Sequence, residues 1–277
     1  MLAFVGRIEP LARLTAAYQA VSAPPGGAVS GWAGLVLVTG EAGIGKTTLL
    51  TRFASRVRAD GGTVVWGTCW DGDQAPAWWP WTQALRALHD RSPNLAEAAR
   101  HELGAIVPEL ATNSPVIDSD TAARVRVFDA VGQALSRAAT GAPLVVILDD
   151  LHSADQSSVD LLRFVAHEPQ PGALMLVGAY RPQEPPPGVA GTLADLASAA
   201  ELVPLQGLSA DEVADLVQTV AGPAAQDHWA RLVYERSGGH PFYARELCQL
   251  LATAGTAAGV PAAVREVIGR RLARLSQ

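Results

Sequence analysis

An eight-residue stretch of the chain, Gly40-Glu41-Ala42-Gly43-Ile44-Gly45-Lys46-Thr47, fits the G-x-x-x-x-G-K-[ST] pattern of a phosphate-binding loop. Its glycines let consecutive backbone N–H groups face a phosphate chain, and a helix that follows would add its positive N-terminus. Lys46 would reach the β- and γ-phosphates of a nucleotide, and the Thr47 hydroxyl would bind Mg²⁺. Lys46 is also the only lysine in the chain. A compact ammonium therefore stands where a planar guanidinium would not fit between phosphate oxygens.

Two adjacent carboxylates, Asp149 and Asp150, follow an apolar run about 100 residues further along the chain. A buried strand that ends in acids places them at the carboxyl edge of a parallel sheet, where open α/β folds bind ligands. This is the Walker B pattern: Asp149 would hold Mg²⁺, directly or through water, and Asp150 would orient or deprotonate an attacking water. The two acids could instead merely cap the next helix. Arg181 ends a later apolar run, where it could sense a γ-phosphate. His152 is interpreted as a structural hydrogen bonder and left outside the site.

The elements that must position these residues are those of an α/β fold. Short apolar runs at residues 35–39, 63–70, 143–150, 173–182 and 200–205 predict strands of a parallel sheet. Helical patterns alternate with them, and one of these carries Val125, Phe128, Val131 and Leu135 at helical spacing. The predicted fold is a P-loop NTPase domain, a parallel sheet in a three-layer α/β/α arrangement.

From Ser209 onward the pattern changes to consecutive helices. Ser209 and Glu212 have the spacing of a capping box, and Gly222-Pro223 would end the first of these helices. A last amphipathic segment, residues 260–275, has apolar positions without a further partner in the sequence, which favours truncation inside another small domain.

Composition narrows the possible functions. With 277 residues, 49% of them hydrophobic and 17% charged, the chain has room for one large domain and a smaller one. A net charge of −6 argues against direct nucleic-acid binding by this segment. No apolar run approaches the roughly 20 residues of a membrane span, and no leader pattern is present, so we expect a cytoplasmic protein without membrane contact. Cys69 and Cys248 lack metal-ligand spacing and are expected to be reduced core residues.

Five of the seven tryptophans lie between residues 66 and 81. Such a cluster could stack on a base or another flat ligand, but large aromatic side chains are more often core or interface material, and we favour packing.

In its motifs and their order, the chain resembles the ATPase module of the STAND class of AAA+-related P-loop ATPases. It resembles in particular the version found in large ATP-dependent bacterial transcriptional regulators of the LuxR type. The resemblance is carried by Phe4-Val5-Gly6-Arg7, the loop from Gly40 to Thr47, the segment from Ala75 to Trp81, Leu148-Asp149-Asp150-Leu151-His152-Ser153-Ala154-Asp155, Tyr180-Arg181-Pro182, Gly238-Gly239-His240-Pro241-Phe242 and the segment from Val260 to Leu275. One departure is Ser153, where this group usually has tryptophan.

The resemblance implies roles for particular residues. Val5 and Arg7 would contact the adenine end of ATP or ADP, Pro241 would pack near the base from a helical lid, and Arg181 would be the first sensor. The nucleotide would be bound by Val5, Arg7, Gly40, Gly43, Ile44, Gly45, Lys46, Thr47, Thr48 and Pro241, with Mg²⁺ on Thr47 and Asp149 and catalysis by Lys46, Asp150 and Arg181.

The resemblance also implies a domain plan and partners. It divides the chain into an adenine-contacting segment and helix (1–30), a nucleotide-binding domain (31–206), a helical lid (207–256) and the start of a winged helix (257–277). An ADP-held closed state would alternate with an ATP-bound signalling state, relayed to repeat-sensor and DNA-binding domains of a longer chain. ATP-dependent oligomerisation belongs to the same expectation.

We therefore predict a module that binds MgATP, hydrolyses it slowly and converts occupancy into a conformational change. One alternative is a P-loop kinase or phosphotransferase, which would need an acceptor pocket and a lid bearing several arginines, and few follow Arg181. Another is a nucleotide-binding scaffold without turnover, against which the intact Lys46, Thr47, Asp149 and Asp150 argue.

Overall fold

The computed structural model describes residues 5–22, 34–70, 72, 76–91, 100–110, 121–168, 172–185, 187–222, 225 and 228–254. The described chain forms two compact units. The larger comprises Ile8–Ala42 and Lys46–Leu205, and the smaller comprises the described parts of Met1–Arg7, Gly43–Gly45 and Gln206–Gln277. The predicted helix at 260–275 and winged helix at 257–277 lie outside the described residues.

The larger unit is built on a parallel sheet of five strands: β1 (Leu35–Thr39), β2 (Thr63–Thr68), β3 (Leu144–Asp149), β4 (Leu174–Tyr180) and β5 (Glu201–Pro204). Their order is β2-β3-β4-β1-β5, and all neighbours run parallel. Every residue of β3 and β4 is buried, which explains why both read as continuous apolar runs. All five predicted strands are confirmed, and β2 and β4 each stop two residues before their predicted ends. Because β4 lies between β1 and β3, the segments that follow these three strands emerge side by side at one edge.

Helices cover both faces of the sheet, as the predicted three-layer fold requires. In chain order they are α1 (Ile8–Ser22), α2 (Lys46–Ala59), α3 (Trp79–Arg91), α4 (Arg100–Leu103), α5 (Thr121–Ala138), α6 (Gln156–His167) and α7 (Pro187–Ala199). Helices α3, α5, α6 and α7 share one apolar cluster with sheet residues such as Leu37, Val146 and Leu176. Strand side chains alternate between faces, and α1 and α2 also contact the sheet, burying Leu14 and Phe53.

The predicted apolar face of α5 is wrong at its first position. Phe128, Val131 and Leu135 are buried as expected, whereas Val125 is 50% exposed. At 100° per residue Val125 lies about 120° around the helix from Val131, which places it off the buried stripe.

The described part of the smaller unit contains three helices, α8 (Ala210–Ala221), α9 (Trp229–Ser237) and α10 (Pro241–Ala254). They enclose their own apolar cluster, which consists of Leu208, Val213, Leu216, Val217, Trp229, Val233, Ala244, Leu247, Cys248 and Leu251. The predicted capping box is confirmed, because Ser209 and Glu212 exchange both hydrogen bonds at the start of α8, and Gly222 follows its last residue. Partly buried Val5 packs against this cluster.

Packing explains most of the tryptophan-rich segment, as predicted. Trp81 is fully buried and its indole N–H donates to the Ser158 carbonyl at 2.9 Å, and Trp78 is 7% exposed. Trp70 differs, because it is 53% exposed and meets Trp79 edge to face. The two cysteines are buried and unpaired, as expected. Among the residues that the structure describes, none of the helices combines the length and apolarity that crossing a membrane needs.

Candidate nucleotide-binding site

The loop between β1 and α2 has the backbone of a phosphate cradle. Gly43 and Gly45 have φ angles of 70° and 102°, values that side chains with a Cβ rarely adopt. Within the smaller unit, a Cβ on Gly43 would also lie 3.0 Å from Cε1 of His240 and 3.2 Å from Cβ of Phe242. The turn therefore favours glycine at both positions, and neighbouring side chains add to that requirement at Gly43. Thr48 lies exposed in the first turn of α2, and Ile44 is buried.

Lys46 is the first residue of α2, and its side chain folds back into the loop. Its Nζ donates to the carbonyl oxygens of Gly40 at 2.8 Å and Glu41 at 2.9 Å, and the residue is 6% exposed. Burial lowers the pKa of Lys46 and Arg181 lowers it further, whereas nearby carboxylates oppose the shift. An ammonium carries three protons, so one remains for a further acceptor beside these two carbonyls.

The structure brings together the two residues predicted to bind Mg²⁺. The hydroxyl of Thr47 donates to Oδ2 of Asp149 at 2.7 Å, although 102 positions separate them. Asp149 is 1% exposed; burial raises its pKa, and the hydrogen bond from Thr47 opposes that shift. A hydroxyl and a carboxylate are hard oxygen ligands of the kind that Mg²⁺ takes, commonly together with substrate phosphates. The described residues contain no cluster of three or more His, Cys, Asp or Glu side chains that could hold a metal alone.

Asp150 has an unusual backbone for a residue with a side chain. Its φ and ψ are 58° and 39°, the left-handed region, and its N–H donates to Oδ1 of Asp149 at 3.0 Å. This conformation costs about 1 kcal/mol or more outside glycine. The strain turns the chain sharply after β3, so that Asp150 is partly exposed while Asp149 is buried.

Two further residues lie at this edge of the sheet but were not predicted to belong to the site, namely His152 and Glu184. His152 is 7% exposed, with its Nδ1 3.9 Å from Oδ1 of Asp150 and its Nε2 4.0 Å from Oε2 of Glu184. Burial lowers the pKa of His152 and the charge of Arg181 lowers it further, against opposing effects of both acids. Arg181 follows β4 and donates through Nη1 to Oε2 of Glu184 at 2.6 Å. Arg181 and Glu184 are three residues apart, with Pro182 between them. This spacing was a sequence signal for an ion pair that closes a turn.

Arg7 is held within the smaller unit by backbone carbonyls. Its guanidinium donates to the oxygens of Ile44 at 2.8 Å and Gln206 at 2.5 Å, and its backbone N–H donates to Oε1 of Glu212 at 3.2 Å. Burial lowers the pKa of Arg7, and Glu212 opposes the shift. A Cβ at Gly6, whose φ is 66°, would overlap the Glu212 carboxylate. Gly6 and Arg7 thus connect Ile44, in the middle of the phosphate-binding loop, with Glu212 in the first turn of α8.

The remaining predicted residues lie in the same unit as Arg7. Pro241 is the first residue of α10 and stands between His240 and Phe242, whose side chains a Cβ at Gly43 would contact. Val5 packs against the helical cluster. Their predicted contact with adenine stays a prediction.

A family model described as AAA ATPase domain matches residues 3–177, which is more than half of the chain. The chain belongs to the AAA ATPase domain family. The predicted P-loop fold is thereby confirmed, and the AAA ATPase domain is a nucleotide-binding module of the ATPase type.

Other similarities to this AAA ATPase domain are more distant. An uncharacterised protein of Rhizobium meliloti is 27% identical over 252 residues, which is 80% of this chain and 23% of that protein. A signal transduction ATPase with numerous domains (STAND) from Pyrococcus horikoshii, which carries a tetratricopeptide repeat sensor, has a TM-score of 0.53 at 19% identity, covering 98% of this chain and 33% of that one. Cdc6p from Pyrobaculum aerophilum has a TM-score of 0.53 at 13% identity, covering 92% and 64%. Both structures are alike in fold alone. The chain spans about a quarter of the Rhizobium protein and about a third of the Pyrococcus protein.

Proposed function

We propose that this AAA ATPase domain is a regulatory switch that binds MgATP, hydrolyses it slowly and converts nucleotide occupancy into a conformational change. The observation that carries the proposal is the 2.7 Å hydrogen bond between Thr47 and Asp149. It supports the proposal because the two oxygen ligands expected for Mg²⁺ are in contact, and because Asp149 also acts electrostatically on the buried ammonium of Lys46. A glycine loop that does not bind nucleotide would not require this combination of residues.

Different residues of the chain would bind the nucleotide and promote its hydrolysis. The loop N–H groups and Lys46 would hold the phosphates, with Thr48 in the first turn of α2. Mg²⁺, when bound, neutralises charge on the β- and γ-phosphates. Asp150, turned outward by its left-handed backbone, would orient the attacking water, and Arg181 would contact the terminal phosphate.

We assign the adenine end of the nucleotide to Val5, Arg7 and Pro241. The support is the bond from Arg7 to the carbonyl of Ile44, which attaches this N-terminal segment to the phosphate-binding loop itself. The glycine at position 6 allows that attachment, because a larger residue would collide with Glu212.

The wider setting of the switch is also part of the proposal. The motifs shared with STAND modules of LuxR-type regulators favour a cytoplasmic, multidomain transcriptional regulator. Its sensor and DNA-binding domains would lie in other parts of a longer chain. ATP would favour the signalling state and ADP the resting state, with the helical lid relaying the change and oligomerisation following ATP binding.

Calorimetric titration tests the binding part of this proposal. Wild type should bind MgADP and a non-hydrolysable MgATP analogue, and Lys46→Ala should weaken both by at least about tenfold, because a charge-assisted hydrogen bond to phosphate is lost. Thermal melting of both proteins checks that the variant is folded. Absence of binding by nucleotide-free wild type would refute the proposal.

Phosphate release tests turnover separately. Asp150→Asn should reduce the rate at saturating MgATP, because an amide orients water less well than a carboxylate. Asp195→Asn, an equal loss of charge at an exposed position of α7, is the matched control and should leave the rate unchanged. Equal rates for wild type and Asp150→Asn would refute the role of Asp150, and binding without any release would favour a scaffold without turnover.

A further inference from the structure

The side chain of Arg181 is held by a carboxylate at the place where it would meet a terminal phosphate. Arg181 directly follows the last residue of β4, and its Nη1 donates to Oε2 of Glu184 at 2.6 Å. The turn between them is closed by a backbone hydrogen bond from the Glu184 N–H to the Arg181 carbonyl, at 3.2 Å. Nε of Arg181 is buried and has no acceptor among the described residues. The guanidinium is therefore turned toward Glu184 by the local backbone.

Glu184 also lies within the electric field of the phosphate-binding residues. Its Oε2 is 4.0 Å from Nε2 of His152, whose Nδ1 is 3.9 Å from Oδ1 of Asp150. Its charge acts on the ammonium of Lys46 in the same direction as the charges of the two Walker B acids. Glu184 is thus a third carboxylate at this edge of the sheet, beside Asp149 and Asp150.

A nucleoside triphosphate would add a terminal phosphate to this edge, and a diphosphate would not. Charges of like sign at close range disfavour one another, and a guanidinium fork matches a carboxylate or a phosphate in the same geometry. Arg181 cannot serve both partners with the same donors. A terminal phosphate that takes the Nη1 donor displaces the Glu184 carboxylate from it.

We propose that Glu184 is a counter-ligand of Arg181 that competes with the terminal phosphate and so weakens binding of nucleoside triphosphate relative to diphosphate. This inference rests on the proposed function, since it assumes that both nucleotides bind. It makes Glu184 a specificity-determining residue, and it gives the resting, ADP-favouring state a physical basis in one ion pair. The pair can open at small cost because Glu184 is 47% and Arg181 29% exposed.

The test compares nucleotide affinities in a charge-neutral variant of similar shape. Glu184→Gln should tighten binding of a non-hydrolysable MgATP analogue by about twofold to fivefold, the upper part of the range for a partly exposed ion pair, and change MgADP affinity by clearly less, below about 1.5-fold. Glu109→Gln is the matched control, because Glu109 also pairs with an exposed arginine, Arg86, away from the sheet edge. It should change neither affinity.

A double variant shows whether the effect acts through Arg181. In an Arg181→Gln background the addition of Glu184→Gln should give no gain in analogue affinity, because the competition has been removed. An unchanged ratio of the two affinities in Glu184→Gln would overturn the inference and leave the proposed function intact. A gain that persists without Arg181 would also overturn it, since Glu184 would then act only by repulsion. Wild type that binds neither nucleotide would overturn the proposed function, and this inference with it.

Discussion

Asp155 connects the segment after β3 with the tryptophan-rich segment through one carboxylate. Its Oδ1 accepts from the backbone N–H of Ser158 at 3.0 Å, which caps α6, and its Oδ2 accepts from the Ser158 hydroxyl at 2.5 Å and the Trp78 N–H at 3.1 Å. Ser158 is fully buried, and Trp78 has a left-handed φ of 59°. Asp155 therefore fixes the starts of both α6 and α3.

Replacing Asp155 by alanine should destabilise the larger unit strongly. Loss of the helix cap costs about 1 kcal/mol. The two other donors lose their acceptor in buried surroundings, at about 1 kcal/mol each, the lower end of the usual range because the Ser158 hydroxyl can rotate. We expect about 3 kcal/mol in all. Asp155→Asn keeps a carbonyl oxygen for the cap but presents an amide nitrogen to the other donors, so about half of that loss is expected.

Urea unfolding followed by tryptophan fluorescence measures this effect, because five of the seven tryptophans lie at positions 66–81 of the larger unit. The midpoint should fall in the order wild type, Asp155→Asn, Asp155→Ala, with the slope unchanged. A loss below about 1 kcal/mol for the alanine variant would refute the reasoning, since it would mean that the cap alone accounts for the effect. Equal losses for both variants would refute the assignment of separate roles to the two carboxylate oxygens.

Three other predictions concern single positions. Thr47→Val should weaken the Mg²⁺ dependence of analogue binding while Thr47→Ser retains it, because serine keeps the hydroxyl that can bind the metal and valine does not. Equal behaviour of the two variants in titrations with and without Mg²⁺ would contradict this. Gly67→Ala should lower the free energy of unfolding by about 1–3 kcal/mol, because its Cβ would overlap the Pro80 carbonyl, whereas Gly141→Ala, in open space, should be close to neutral in the same urea assay. Burial raises the pKa of Cys248 to about 11 from 9.0, so the folded state retains a proton that the unfolded state has lost, and stability should fall as pH rises between these values. Cys248→Ala should lose this contribution, and an identical pH dependence in both proteins would be evidence against it.

The phosphate-binding residues could be predicted because each motif is contiguous and its neighbours in sequence define the local structure. The glycine loop needs a strand before it and a helix after it, and Asp149 and Asp150 need only a buried strand that ends there. Parallel strands then bring separate motifs to one edge without further information. This is why a hydrogen bond between Thr47 and Asp149 follows from two short patterns.

The residues that sequence reasoning missed are placed by tertiary structure. His152 is turned toward Asp150 by the strained backbone after β3, and no local pattern shows that strain. The importance of Glu184 depends on which residue stands at the end of the strand next to β4 in the sheet, and the neighbours of a strand are set by tertiary structure. The contact of Arg7 with a nucleotide stays a prediction, whereas its hydrogen bond to Ile44, which spans 37 positions and depends on a fold-back of the chain, was not predicted. Contacts of this kind have no periodicity to read.

The isolation of Lys46 among arginines has a practical consequence. A lysine-specific endoprotease has one peptide bond to cut in this chain, between Lys46 and Thr47, in the first turn of α2. A protease must draw a local segment into an extended form, so cleavage requires the loop and this turn to open. The appearance of two fragments on a gel therefore measures opening of the phosphate-binding loop in the unmodified protein, with no label and no mutation.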